Sequence, residues 1–230
     1  PCAIPLSKWL VLNCPLMAGF ECPMTFTLIE NLGYRINNKS GGSALTSEAS
    51  LMTYNTNGWF PSPTKDVAAR LLFWGPEADI KAMPFTAFLR ETQVEAGTPV
   101  FILGFPLGLR SEKYALPILR RGVVARRDEQ GFILDGFVFP GNSGGPVVYE
   151  PLFAMNAGPG ISVTSSLLQG TWLVGLVVSE ISYIETAVSP QTKRPRITFE
   201  DNTGLCHILS ADAILEVLKS PEFEMVDREN

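Results

Sequence analysis

Histidine is nearly missing from this chain: 230 residues contain one, His207. Cysteine is sparse, with four, and no two form a C-x-x-C pair. These shortages exclude a metal site built on several imidazoles, a zinc ribbon and a disulfide scaffold. No metal or other cofactor is therefore expected. No apolar run approaches the roughly 18 residues of a membrane span, so no membrane partner is expected. The apolar stretch Trp9–Leu12 is short and no convincing cleavage site follows it, so no intact signal peptide is read there. Positive charge is also in short supply. Lys and Arg total 18 against 23 Asp and Glu, a net charge of −5. A general nucleic-acid binder carries the opposite balance, and no nucleic-acid partner is expected. The cluster Arg120, Arg121, Arg126 and Arg127 is broken by Gly122 to Val124 and followed by Asp128-Glu129, which suits a solvated strand surface.

What the chain does have is apolar bulk and punctuation. Hydrophobic residues make up 46%, enough for a sizeable core. Gly (20) and Pro (18) are abundant, which fits short strands joined by many turns. Strand-like runs occupy 9–12, 25–29, 34–37, 67–73, 100–103, 122–125, 132–139, 147–149, 172–178 and 197–199. Alternating strand and helix units are not visible. One helix is expected after Ser210, with Asp212 in its first turn, Ile214, Val217 and Leu218 on one face, and Pro221 as its stop. Residues 222–230 read as a polar tail.

The most informative stretch is Pro140-Gly141-Asn142-Ser143-Gly144-Gly145-Pro146-Val147-Val148. A serine among three glycines sits in a backbone of unusual freedom. The amides of Gly141 and Ser143 can point into one concavity, an oxyanion hole that stabilises charge developing on an acyl group. A G-x-S-x-G match alone also fits a plain glycine-rich hairpin loop.

The whole run, PGNSGGPVV, resembles the nucleophile motif of trypsin-like (chymotrypsin-fold) serine peptidases. Gly97-Thr98-Pro99-Val100 through Gly104-Phe105-Pro106-Leu107-Gly108 is similar to the opening of the second barrel in bacterial members, including the HtrA-like proteases. Leu134-Asp135 and Leu173-Val174-Gly175-Leu176 are similar too. The resemblance implies an all-β fold of two six-stranded antiparallel β-barrels with a C-terminal helix. The N-terminal barrel is expected over 1–80 and the C-terminal barrel, with the nucleophile loop and helix, over 81–230. The few residues after the helix leave no room for the PDZ module that HtrA proteases carry.

The resemblance also implies a Ser–His–Asp triad. Ser143 takes the nucleophile position. Asp66, opening Asp66-Val67-Ala68-Ala69, takes the place of the acid that orients the histidine. Gly141, Asn142 and Ser143 fall at the oxyanion hole. No histidine precedes Asp66. Leu10-Val11-Leu12-Asn13-Cys14-Pro15-Leu16 is similar to the family's histidine-bearing segment and puts Pro15 at the histidine position. A second alignment puts Thr27 there. Neither side chain acts as a general base. His207 follows the serine, in a segment that reads as the strand entering the final helix.

Phe137, six residues before Ser143, occupies the primary-pocket position where tryptic relatives carry an acid. An apolar or small substrate side chain is expected there. Asp135 is a second candidate for a buried acid. The expected partner is a peptide or protein substrate, hydrolysed through an acyl-enzyme on Ser143. The alternative is a catalytically dead pseudoprotease that binds peptide or protein. An α/β-hydrolase would use Ser143, Asp201 and His207 in that order, but its elbow needs a helix directly after the serine. Gly144-Gly145-Pro146 then Val147-Val148-Tyr149 is extended.

Overall fold

A computed structural model describes residues 9–12, 33–47, 59–71, 77, 79, 83–109, 113, 116–129, 131–149, 154–157, 161–164 and 171–228. Strands dominate. In the first third they are β1 (Trp9–Leu12), β2 (Gly33–Asn37), β3 (Ser43–Ser47), β4 (Trp59–Pro61) and β5 (Ala68–Leu71). β1, β5 and β4 form an antiparallel sheet in that order, and β2 pairs with β3 as a separate hairpin. Pro15 and Thr27 lie outside the described residues, as does the expected strand at 25–29.

The rest of the chain closes a barrel. Its strands are β6 (Pro99–Gly104), β7 (Ile118–Asp128), β8 (Gly131–Asp135), β9 (Pro146–Tyr149), β12 (Leu173–Val188) and β13 (Pro195–Ser210), in the order β12-β13-β8-β7-β6-β9. β10 (Ala154–Ala157) and β11 (Ile161–Thr164) pair beside it as a hairpin. Alternation drives closure: along β6, Val100 and Ile102 are fully buried while their neighbours are half-buried. They meet Val124, Phe132, Leu134 and Val174 in the barrel interior. The expected strand at 132–139 is too long. β8 ends at Asp135, and Gly136 donates instead to the carbonyl of Gly204 at 2.7 Å.

α1 (Ala211–Leu218) starts after Ser210 as the sequence predicts, although the Ser210 hydroxyl makes no capping bond. Ile214, Leu215 and Leu218 bury against Val67 and Ala69 on one side and Leu173 and Leu209 on the other. The helix thereby joins the first sheet to the barrel. The expected polar tail is instead a second helix, α2 (Pro221–Arg228). Its reason is one residue: Phe223 is buried and meets the Phe60 ring edge-on, with centroids 5.1 Å apart.

Two clamps tie the connection at 83–98 to this body. Asp212 accepts from Arg90 Nη1 at 2.6 Å and from the Glu91 backbone N–H at 2.8 Å. Arg127 donates to the carbonyls of Val94 and Thr92 and to Glu95. The arginine cluster is a solvated strand surface, as expected, with Arg121, Arg126 and Arg127 exposed, and Arg120 lies 5.1 Å from the Phe139 ring centroid.

Candidate active site

The nucleophile loop is built on a β-turn from Phe139 to Asn142. Pro140 holds the second position, Gly141 the third with φ +97°, and Asn142 N–H donates to Phe139 O at 2.9 Å. Proline followed by a left-handed glycine is the signature of a type II turn. A side chain at Gly141 would be strained by that φ, and its Cβ would stand 2.3 Å from the Phe105 carbonyl oxygen.

The turn's orientation is fixed from outside. Leu107 N–H donates to Pro140 O at 2.7 Å, and Phe105 N–H donates to Gly141 O at 3.1 Å. Peptide bonds here are trans, so the Gly141 N–H points opposite to the Pro140 carbonyl. The Gly-Phe-Pro-Leu-Gly segment thus pulls two carbonyls backward and leaves the amide facing forward. Leu107 reaches its carbonyl partner from a left-handed backbone (φ 55°, ψ 23°). That conformation costs a leucine about 1–2 kcal/mol, strain stored beside the loop it aims. Among the described residues, neither Gly141 N–H nor Ser143 N–H donates a hydrogen bond.

Asn142 works behind the turn. Its side chain is fully buried, its Oδ1 accepts from Phe139 N–H at 3.0 Å, and its own N–H is committed to Phe139 O. Its Nδ2 is buried without a partner and packs on Gly104, where a Cβ would stand 2.5 Å away. Such an orphan donor costs about 1–3 kcal/mol, another expense of holding the loop in place. Beyond Ser143, Gly144 N–H donates to Val177 O and Val177 N–H donates to Gly145 O. These bonds fasten the loop to β12.

Phe137 is 50% exposed at the barrel surface, with its ring 3.2–3.5 Å from the Cβ position of Gly204 (φ +78°). A side chain at Gly204 would displace the ring. Beside it, Asn202 Nδ2 donates to Val138 O at 2.6 Å and to Glu180 Oε2 at 2.7 Å. Sequence reasoning missed Glu180 and Asn202. Nothing local marks them, because they meet only through register shifts between β12 and β13. Asp135 is exposed, not buried, at the end of β8.

Asp66 lies in the turn before β5. Ser62 N–H donates to Val67 O there, and Ser62 Oγ accepts from Thr64 and Lys65 N–H. The Asp66 Oδ2 is buried. His207 is on the outer side of the barrel wall, between buried Cys206 and Ile208, and is registered opposite Ile133 and Ser179. Its Nδ1 faces Asp128 Oδ2 at 3.3 Å. Burial pushes the Cys206 thiol up to about 12, which keeps it protonated and inert near neutrality. No group of residues suited to hold a metal ion occurs among the described residues, and no described helix is long and apolar enough to cross a membrane.

No family model matches the sequence, and no curated protein matches it. Solved structures do. One is an HtrA-type protease, AlgW, with tripeptide: 17% identity, TM-score 0.49, covering 97% of this chain and 55% of that one. Another is the same protease with decapeptide: 15% identity, TM-score 0.46, covering 95% and 49%. The chain spans about half the length of the HtrA-type proteases it matches.

Proposed function

We propose that the chain is a trypsin-like serine endopeptidase scaffold with Ser143 as nucleophile. The observation that carries this reading is the outward-turned Gly141 N–H, set by the Leu107–Pro140 bond, beside an equally uncommitted Ser143 N–H. Two such donors match what an acyl-transfer oxyanion requires. Ser143 Oγ attacks the peptide carbonyl carbon and releases its proton to solvent water, because no histidine precedes Asp66 to take it, while the carbonyl oxygen takes the negative charge between the two amides. Asp66 is the acid of the site, on a half-buried turn ahead of β5. The first third of the chain, residues 1–80, is the companion barrel, and 81–230 the barrel that carries the loop.

A second reading rests on the histidine. No His precedes Asp66, and His207 is engaged with Asp128. Loss of one triad member costs up to about a millionfold in kcat. Oxyanion stabilisation and binding alone leave roughly 10³–10⁴ over water. A protein that binds peptide without turning it over fits that ledger.

Labelling with a fluorophosphonate probe, followed by intact mass, separates the two. Slow addition of one probe, absent in Ser143→Ala, is the expected result. A folded protein that stays unlabelled while still binding peptide is the binding module.

Phe137 forms the primary pocket in this proposal, so peptides with apolar or small residues before the scissile bond are expected to react fastest. Faster cleavage after Arg or Lys would hand the pocket to Glu180 and overturn the Phe137 assignment.

A further inference from the structure

Two strands of the barrel run on as an arm. β12 and β13 stay laddered to each other from Ser182 opposite Asn202 to Val188 opposite Pro195. β8 covers the other edge of β13 only from Leu205 onward, where it ends at Asp135. From Pro195 to Asn202 no described strand pairs with that edge, and every residue from 190 to 201 is exposed. A two-stranded ribbon is marginal in water, and a bare strand edge is a row of unmet donors and acceptors. The run on this edge is Arg196-Ile197-Thr198-Phe199-Glu200. Ile197 and Phe199 lie two apart on one face, and Tyr183, opposite Asp201, shares that face; the three are 58%, 50% and 58% exposed. Among the described residues neither Arg196 nor Glu200 makes an ion pair. The run is its own complement. Turned end for end about Thr198, it sets Arg196 against Glu200, Ile197 against Phe199 and Thr198 against Thr198. Each of these pairings stabilises an antiparallel ladder: opposite charges, β-branched against aromatic, and threonine against threonine. A slip of one residue sets Ile197 against Glu200, or Arg196 against Phe199, and turns the side chains to the wrong face.

We propose that β13 of one copy pairs antiparallel with β13 of a second copy of this chain, about a two-fold axis at Thr198. The two arms then form one four-stranded sheet in the order β12-β13-β13-β12. The occupant is a second copy because the complement this edge requires is the edge itself, and a two-fold contact uses one patch twice. Across the axis the Arg196–Glu200 and Ile197–Phe199 pairs each occur twice. Tyr183, Ile197 and Phe199 of both copies then share one face of the joined sheet, which groups side chains that stand bare on a single arm. Main-chain bonds between the two β13 edges satisfy the groups that the lone ribbon leaves to water. The pairing does not depend on what Ser143 does, because neither Ser143 nor Asp66 takes part in it.

Sedimentation equilibrium of the full chain in reducing buffer is expected to show a dimer that dissociates on dilution. R196E and E200R each set like charges opposite one another at two points, and each is expected to weaken the dimer at least about tenfold. Combining the two restores opposite charges with their signs exchanged, so the double variant is expected to return to within about threefold of the unchanged chain. Both side chains are exposed on the arm, so the thermal transition by circular dichroism, read at a dilution where the chain is monomeric, should stay in place in all three variants. Ser143→Ala is expected to dimerise like the unchanged chain. A chain that is monomeric at every concentration leaves the edge to a strand from another protein and overturns the proposal. So does a dimer indifferent to either single reversal, or one that both reversals weaken and their combination fails to restore.

Discussion

Gly141→Ala is expected to slow fluorophosphonate labelling of Ser143 by about 10²–10³-fold, the loss measured when one oxyanion donor is removed. The argument is geometric. Gly141 sits at φ +97°, where a side chain is strained, and an alanine Cβ there would lie 2.3 Å from the Phe105 carbonyl oxygen. The relief available is rotation of the Pro140–Gly141 peptide. That rotation breaks the Leu107 N–H to Pro140 O bond and swings the Gly141 N–H away from Ser143. The core is untouched, because Gly141 is an exposed loop residue. A normal thermal transition by circular dichroism is therefore expected alongside the slow labelling. Unchanged labelling in a folded variant would remove Gly141 from the oxyanion hole and with it the observation on which the peptidase reading stands.

Pro15→His is the other large effect, of opposite sign. A positioned general base contributes about 10²–10⁴ in rate, and a serine without one is a weak nucleophile. The resemblance of Leu10–Leu16 to a histidine-bearing segment places the missing imidazole at Pro15. In the described structure the preceding strand pairs with β5, with Leu12 opposite Ala68, two residues past Asp66. β1 therefore ends, at Leu12, beside the start of the strand that follows the proposed acid. The variant is expected to raise the labelling rate of Ser143 by about 10²-fold or more. Thr27→His, made in parallel, is expected to change nothing. A gain in the Thr27 variant alone would move the histidine position there, and no gain in either folded variant would count against both alignments.

The sequence alone settled what is local. Trp9–Leu12 is a strand with the ends read from it, because its apolar run is bounded by a lysine and an asparagine. Val100 to Leu103 lies within β6, marked by Pro99 before it and Gly104 after. α1 starts after Ser210, where the apolar period changes from 2 to 3.6. The glycines from 141 to 145 marked the loop that bears Ser143, because glycine supplies the backbone freedom a turn needs.

The tertiary structure decided the rest. Only 197–199 of the arm was legible; its β12 half was not, because Ser179 to Val188 shows no alternation and the strand exists only through its ladder to β13. α2 depended on a single phenylalanine finding Phe60, too little for periodicity to register. Arg127 reads as one basic residue among four until the chain folds Val94 onto it. Glu180 and Asn202 became neighbours of Phe137 through register shifts that no local pattern encodes. His207 was matched with Asp128, 79 residues earlier in the chain, which no local pattern encodes. Propensity and turn chemistry act over a few residues and can be read one after another. Pairing register, buried partners and the direction of an amide depend on residues distant in the chain, and only closure of the barrel brings those together.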